Sequence, residues 1–336
     1  MATGKTKRLL KRWLAATKTK RLLKRLLAAT IATFVALALA EVLLRALDPL
    51  GAEDVAQREA LAGKVIRNGK AGLELVPGGR ASYLGHEIVI GSHGMRNRET
   101  PIAKPPDTYR ILVLGDSIAF GFGVAEKDAF PRVVERQLRD HTLRAGHPRV
   151  EVINAGVPGW NLVNSYLFLK ERGLAFQPDL VLLTLVNNDV PAVDKLAEAT
   201  ERRVLLPSWV RTAYLGRFAQ TGLDRWRRVR PEYWIGHDLT ASGVKHVADV
   251  LELFKTLCGD IQFALIDTIG EKGKPAAPGI AEATRTRGIP HIEAFIDHTD
   301  YMARYAVAPS DPHPNAAGHL ELAREVVAWL RTKLVK

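Results

Sequence analysis

The chain has 336 residues, 47% of them hydrophobic, with one cysteine, so it holds enough apolar matter for a sizeable core and cannot form an internal disulfide. Its formal charge of +12 points to a polyanion until the charge is located: residues 1–50 carry eleven Lys/Arg against two acids, and the remainder carries 37 against 34. A nearly neutral body, without zinc-finger, helix-turn-helix or RNA-binding patterns, argues against nucleic acid as a partner.

The chain opens on a tandem repeat, TKRLLKRWLAAT at Thr6–Thr17 and TKRLLKRLLAAT at Thr19–Thr30. It predicts a basic amphipathic helix suited to anionic lipid. From Leu26 to Ala40 there is no charge, and after Glu41 the apolar run resumes to Leu44. That length approaches the roughly 20 residues a helix needs to cross hydrocarbon, and the stretch reads as a transmembrane anchor. Ten Lys/Arg precede it, which puts the N-terminus in the cytoplasm and the body outside. The competing reading is secretion after signal-peptide cleavage near Ala40, because Ala38-Leu39-Ala40 fits the small-x-small rule. A buried core helix does not suit the polycationic flank.

Residues 51–105 read as a linker with short β elements, among them HEIVIGSHGMRNRE, which alternates like a strand running into a glycine turn. From Arg110 onward, apolar runs alternate with helical patterns: RILVLG (110–115), VEVINAG (150–156), DLVLLTLV (179–186), QFALID (262–267) and PHIEAF (290–295). The rhythm is α/β. Unbroken Val/Ile/Leu runs suit strands covered on both faces, so residues 106–336 are predicted to form a three-layer α/β/α sandwich around a five-stranded parallel sheet. A closing amphipathic helix carries Leu320, Ala323, Val326, Val327 and Leu330 on one face. Residues 191–239, with nine Lys/Arg and three of the six tryptophans (Trp209, Trp226, Trp234), exceed a simple crossover and read as an inserted cap, or else as an extended helical crossover.

In such a sheet, ligands bind beyond the carboxyl ends of the strands. Three of those ends are polar: Gly115-Asp116-Ser117, NAGVPGWN with Gly159, and Asn187-Asn188-Asp189. A serine at a strand-to-helix turn is a helix cap or a nucleophile at a positive helix end. The loop SDPHPN supplies what a nucleophile needs, a base in His313 and an orienting acid in Asp311, with Pro314 placed to open the last helix. Oxyanion donors are available in the backbone N–H groups of Ser117 and Gly159 and the amide of Asn188. Asp311, His313 and His319 also allow a metal reading, but no acidic cluster accompanies them. The glycines of GDSIAFGFGV fit neither a dinucleotide nor a phosphate loop.

Together these segments resemble the GDSL/SGNH hydrolase family of serine esterases. Gly115-Asp116-Ser117, Gly159, VNND with Asn188 and Asp189, and the His-Pro of DPHPN follow the family's motif order over residues 106–335. The resemblance implies a flavodoxin-like sheet. It also implies Ser117 as nucleophile, His313 as base, Asp311 as orienting acid, and Ser117, Gly159 and Asn188 as the oxyanion hole. Asp116 and Asp189 would brace the loops, and no cofactor or metal is needed. Two positions depart from the pattern: Asp311 stands two residues before His313, where the family commonly places its acid three before and this chain has Ser310, and Asn187 or Val186 stands where the third motif usually offers glycine. The expected function is hydrolysis of esters outside the cytoplasmic membrane, on an acylated small molecule or an O-acylated envelope or exported polysaccharide. The alternatives are an O-acyltransferase of the same type and an inactive, membrane-tethered binding module.

Overall fold

The computed structural model describes residues 4–69, 72–96, 99–139, 149–186, 189, 206–226, 241–274, 277–308 and 311–334. It divides into two compact units, one of residues 1–53 and 204–223, the other of residues 54–203 and 224–336.

The first unit is built on α1, Gly4–Leu47. Within it, Lys18–Leu47 is long and apolar enough to cross a membrane, a test that a signal sequence also passes. Leu27, Ile31, Phe34 and Leu39 stand exposed on its surface. Glu41, an interruption when read as sequence, has a structural purpose. Its Oε1 accepts the backbone N–H of Tyr214 at 2.8 Å and its Oε2 that of Leu215 at 2.7 Å, so the carboxylate neutralises the positive end of helix Tyr214–Trp226. Asp48 bonds the Tyr214 hydroxyl and accepts from Ala52 N at 2.7 Å, and Arg217 pairs with Glu53 at 2.8 Å. The described part of residues 191–239, residues 206–226, thus belongs mostly to the unit of the N-terminal helix; Trp234 and the rest of the stretch lie outside the described residues.

The second unit contains a five-stranded sheet in the order β6-β5-β7-β8-β9, with β5 Thr108–Gly115, β6 Arg149–Gly156, β7 Leu180–Leu185, β8 Gln262–Asp267 and β9 His291–Glu293. Every pairing is parallel, as the unbroken apolar runs predict. Successive side chains of β5 point to opposite faces. Leu112 and Leu114 join one core with Phe168 and Leu169 of α5 (Leu162–Glu171) and with Val247, Leu251 and Phe254 of helix Ala241–Cys258. Ile111 and Val113 join the other, with Val133 and Val134 of α4 (Phe130–Leu138) and with Val326 and Leu330 of helix Ala316–Leu334. These are the three layers expected. Asn315, rather than Pro314, opens the last helix: its Oδ1 accepts from Ala317 N at 2.9 Å and Gly318 N at 3.1 Å, while Pro314 ends the short strand β11 (Asp311–Pro314).

Residues 54–96 belong to this unit as well. Helix α2 (Ala52–Glu59) precedes two antiparallel hairpins, β1 Ile66–Gly69 with β2 Gly72–Leu75, and β3 Arg80–Tyr83 with β4 His86–Val89. Leu61, Val65, Leu75, Tyr83, Ile88 and Ile90 pack into the first core cluster.

His319 is fully buried, stacked on Phe130, with its Nδ1 accepting the Phe130 N–H at 3.3 Å. Its proton therefore sits on Nε2, which has no partner among the described residues. Burial first, then the charges of Arg96 and His313, push this imidazole down to about 3. An unfolded chain takes up that proton near pH 6.5, so stability is lost as pH falls below 6.5, by about 2 kcal/mol at pH 5. Melting curves of wild type and His319→Asn at pH 7 and pH 5 check this: the wild type should lose about 4 °C more than the variant over that interval.

Candidate active site

The sheet order reverses at β5, whose neighbours β6 and β7 follow it in sequence on either side, so the carboxyl ends of these strands open onto the switch point. At the end of β5, Gly115 takes φ +149°, and a Cβ there would lie 2.8 Å from the Cβ of Thr184. Only glycine permits that turn against β7. Asp116 then caps α3 (Ser117–Phe120), its Oδ1 accepting from Ile118 N at 2.8 Å. Ser117 is the first helical residue, and its backbone N–H has no acceptor among the described residues. Its hydroxyl lies 3.0 Å from Asp116 Oδ2 and 2.9 Å from His313 Nε2, so two acceptors share one proton.

His313 stands on β11 (Asp311–Pro314), a short strand paired antiparallel with β10 (Ala306–Ala308). Its Nδ1 is 2.5 Å from Asp311 Oδ1, which also accepts the backbone N–H of His313 at 3.1 Å. The two-residue spacing therefore lets one carboxylate oxygen fix both the ring and the strand beneath it. The ring of Phe122 packs beside the imidazole, centroids 4.9 Å apart. Burial alone would raise the fully buried Asp311 carboxyl. The hydrogen bond and charge of His313 oppose this, followed by the Arg58 guanidinium and the Tyr83 hydroxyl, and together they hold it well below the usual carboxylate range.

Gly159 follows β6 at φ +84°, and a Cβ there would come within 2.8 Å of Leu73 Cδ1; its N–H has no acceptor among the described residues. The indole N–H of Trp160 donates to the Leu73 carbonyl at 2.6 Å, which fixes this turn against β2. Asp189 accepts from Val186 N at 2.8 Å and from the backbone of Leu162, tying the end of β7 to the start of α5. Burial, then the neighbouring Asp116, pushes its carboxyl well above the ordinary value, against the two backbone N–H donors, which pull it down. Asn188 lies outside the described residues. His319, the third residue of the metal reading, faces Phe130 rather than the Asp311–His313 pair.

Three site residues were not legible in the sequence, and all come from residues 52–96. Asp311 Oδ2 accepts from Tyr83 Oη at 2.5 Å and from Arg58 at 2.9 Å. Arg96, 1% exposed, donates to the carbonyls of Phe120, Gly121 and Val124 in the turn that follows α3, and its guanidinium lies 4.7 Å from the centre of the Phe120 ring. Burial lowers this guanidinium to about 10, which still leaves it charged at neutral pH.

Residues 113–320, well over half the chain, match the GDSL-like Lipase/Acylhydrolase family. Similar solved structures include a two-domain esterase active on acetylated mannans (TM-score 0.42, 16% identity, 67% of this chain and 49% of that one). Others are a lipase/acylhydrolase from Enterococcus faecalis (0.41, 18%, 67% and 97%) and an acetyl-xylooligosaccharide esterase from Geobacillus stearothermophilus (0.39, 15%, 66% and 93%). The chain spans about half the length of the two-domain esterase. No curated protein matches it. With the matched span running from β5 through the turn of Ser117 to the last helix, the chain belongs to the GDSL-like lipase/acylhydrolase family of ester-bond hydrolases.

Proposed function

We propose that the protein is a membrane-anchored serine esterase that removes O-acyl groups from an envelope or exported polysaccharide outside the cytoplasmic membrane. The observation that carries the reading is the hydrogen-bonded line from Ser117 Oγ to His313 Nε2 (2.9 Å) and from His313 Nδ1 to Asp311 Oδ1 (2.5 Å). In this mechanism Asp311 keeps the Nδ1 tautomer, so Nε2 receives the Ser117 proton as Oγ attacks the ester carbonyl. The N–H groups of Ser117 and Gly159 and the amide of Asn188 receive the oxyanion, at the positive end of α3. His313 returns the proton to the leaving alcohol. Water, activated by the same imidazole, then releases the acid and restores Ser117 Oγ–H.

The compartment follows from the ten Lys/Arg before the apolar stretch, which hold the N-terminus inside. Ser117 is 6% exposed, which suits a short acyl group presented on a larger, solvent-borne alcohol. The test uses the full chain in detergent with a polysaccharide carrying labelled O-acetyl groups. The label should leave as free acetate, and a fluorophosphonate should stop its release. Label recovered on a second sugar hydroxyl would make the protein a transferase. Hydrolysis of p-nitrophenyl acetate alone, with no release from acylated polymers, would remove the polysaccharide from the reading.

A further inference from the structure

We propose that Arg58 and Tyr83 are positioning residues of the reaction: together they hold the second oxygen of Asp311, keeping that carboxylate ionised and turned toward His313. The inference rests on the esterase reading and adds to it a part of the chain outside the family match, which begins at residue 113.

Asp311 is fully buried, and its Oδ1 is occupied by the ring and the backbone of His313. A buried carboxylate with its other oxygen empty would be costly as an anion. It would rotate or take a proton, and either change would release the imidazole. Arg58 from α2 and Tyr83 from β3 fill that oxygen at 2.9 Å and 2.5 Å. Both are held in turn: the Tyr83 ring lies 4.8 Å from that of Phe122, and the Arg58 guanidinium lies 5.9 Å from the centre of the same ring. Phe122 itself packs on His313, so one aromatic ring supports donor, cation and base.

Charged and titratable groups face the dyad from several of the described elements. Ser117 and Asp116 face it from the turn after β5, Arg58 and its neighbour Asp54 from α2, and Tyr83 from β3. Tyr301 approaches from the helix Tyr301–Arg304, its hydroxyl on the Pro312 carbonyl at 2.9 Å, while Arg96 and His319 act from farther off. Among the described residues, Arg58 is the cation in direct contact with the dyad. A cation there opposes protonation of the Asp311–His313 pair, so its removal makes the pair hold its proton to higher pH.

The experiment measures kcat/KM for p-nitrophenyl acetate between about pH 5 and pH 9 on the full chain, with melting temperatures, for wild type, Arg58→Gln, Arg58→Lys and Tyr83→Phe. Arg58→Gln should lower kcat/KM about tenfold to a hundredfold and move the acid limb up by about one pH unit. Arg58→Lys keeps the charge and loses the fork, so it should leave the limb in place while lowering the rate less than Arg58→Gln. Tyr83→Phe should lower the rate several-fold, with a smaller upward movement of the limb. A purely structural role would lower rate and melting temperature together and leave every limb where it was; that result overturns the inference. If Arg58→Gln does not fold, Tyr83→Phe decides: wild-type rate and limb overturn the proposal. A wild type that neither hydrolyses the ester nor takes a fluorophosphonate label on Ser117 overturns the esterase reading, and this inference with it.

Discussion

Replacing Ser117 by alanine is expected to lower kcat for p-nitrophenyl acetate by about 10⁵- to 10⁶-fold and to abolish fluorophosphonate labelling. In the proposed mechanism the Ser117 oxygen is the atom that forms the bond to the acyl carbon, so its loss leaves His313 without the hydroxyl that lies 2.9 Å from its Nε2. The fold should hardly notice. Alanine leaves Asp116 Oδ1 on the Ile118 N–H and removes the hydroxyl shared by Asp116 Oδ2 and His313 Nε2, at a cost of about 1–2 kcal/mol. Circular dichroism and the melting temperature separate the two effects. In the proposed mechanism Ser117 and His313 act as a unit, so the double variant Ser117→Ala/His313→Ala should be no slower than Ser117→Ala alone. Hydrolysis at a tenth of the wild-type rate or more in the single variant would mean that another group does the chemistry.

The largest effect on stability is expected at Arg96. Methionine there fills much of the volume of the arginine stem but offers no donor to the carbonyls of Phe120, Gly121 and Val124, all in a buried turn. Arg96→Met should cost about 3–5 kcal/mol and lower the melting temperature by roughly 10 °C. The consequence reaches the chemistry, because Phe122 lies between those carbonyls in sequence and packs on the His313 ring. Activity measured well below the melting transition should therefore fall about tenfold or more, since small displacements of a base are expensive. Arg96→Lys should recover only part of either loss, because one ammonium cannot reach three carbonyls as the guanidinium fork does. A melting temperature within about 2 °C of wild type would contradict this account.

The sheet was legible because its strands are buried on both faces: residues 111–114 of β5, 180–183 of β7 and 263–266 of β8 are unbroken apolar runs. The family's short motifs pointed to Ser117 and His313; Asp311 departs from the motif's spacing by one residue, and in the structure one of its oxygens serves both the ring and the backbone of His313. Arg58 and Tyr83 stand 253 and 228 residues from Asp311 in sequence, on a short helix and a four-residue strand with no periodic signal of their own. Their role depends on a tertiary meeting that local pattern cannot encode. Glu41 was visible only as a blemish in an apolar stretch, because the backbone it caps lies 173 residues away.

That cap bears on how the N-terminus is processed. A peptidase cutting after Ala40 would make Glu41 the new first residue and create an ammonium on the very residue whose carboxylate holds the amides of Tyr214 and Leu215. A fresh positive charge would then face a helix end that is already electropositive, and the clasp between the two segments would loosen. Retention of the leader and integrity of this joint are thus chemically linked: a mature form trimmed at that bond would begin life with its own fastening undone.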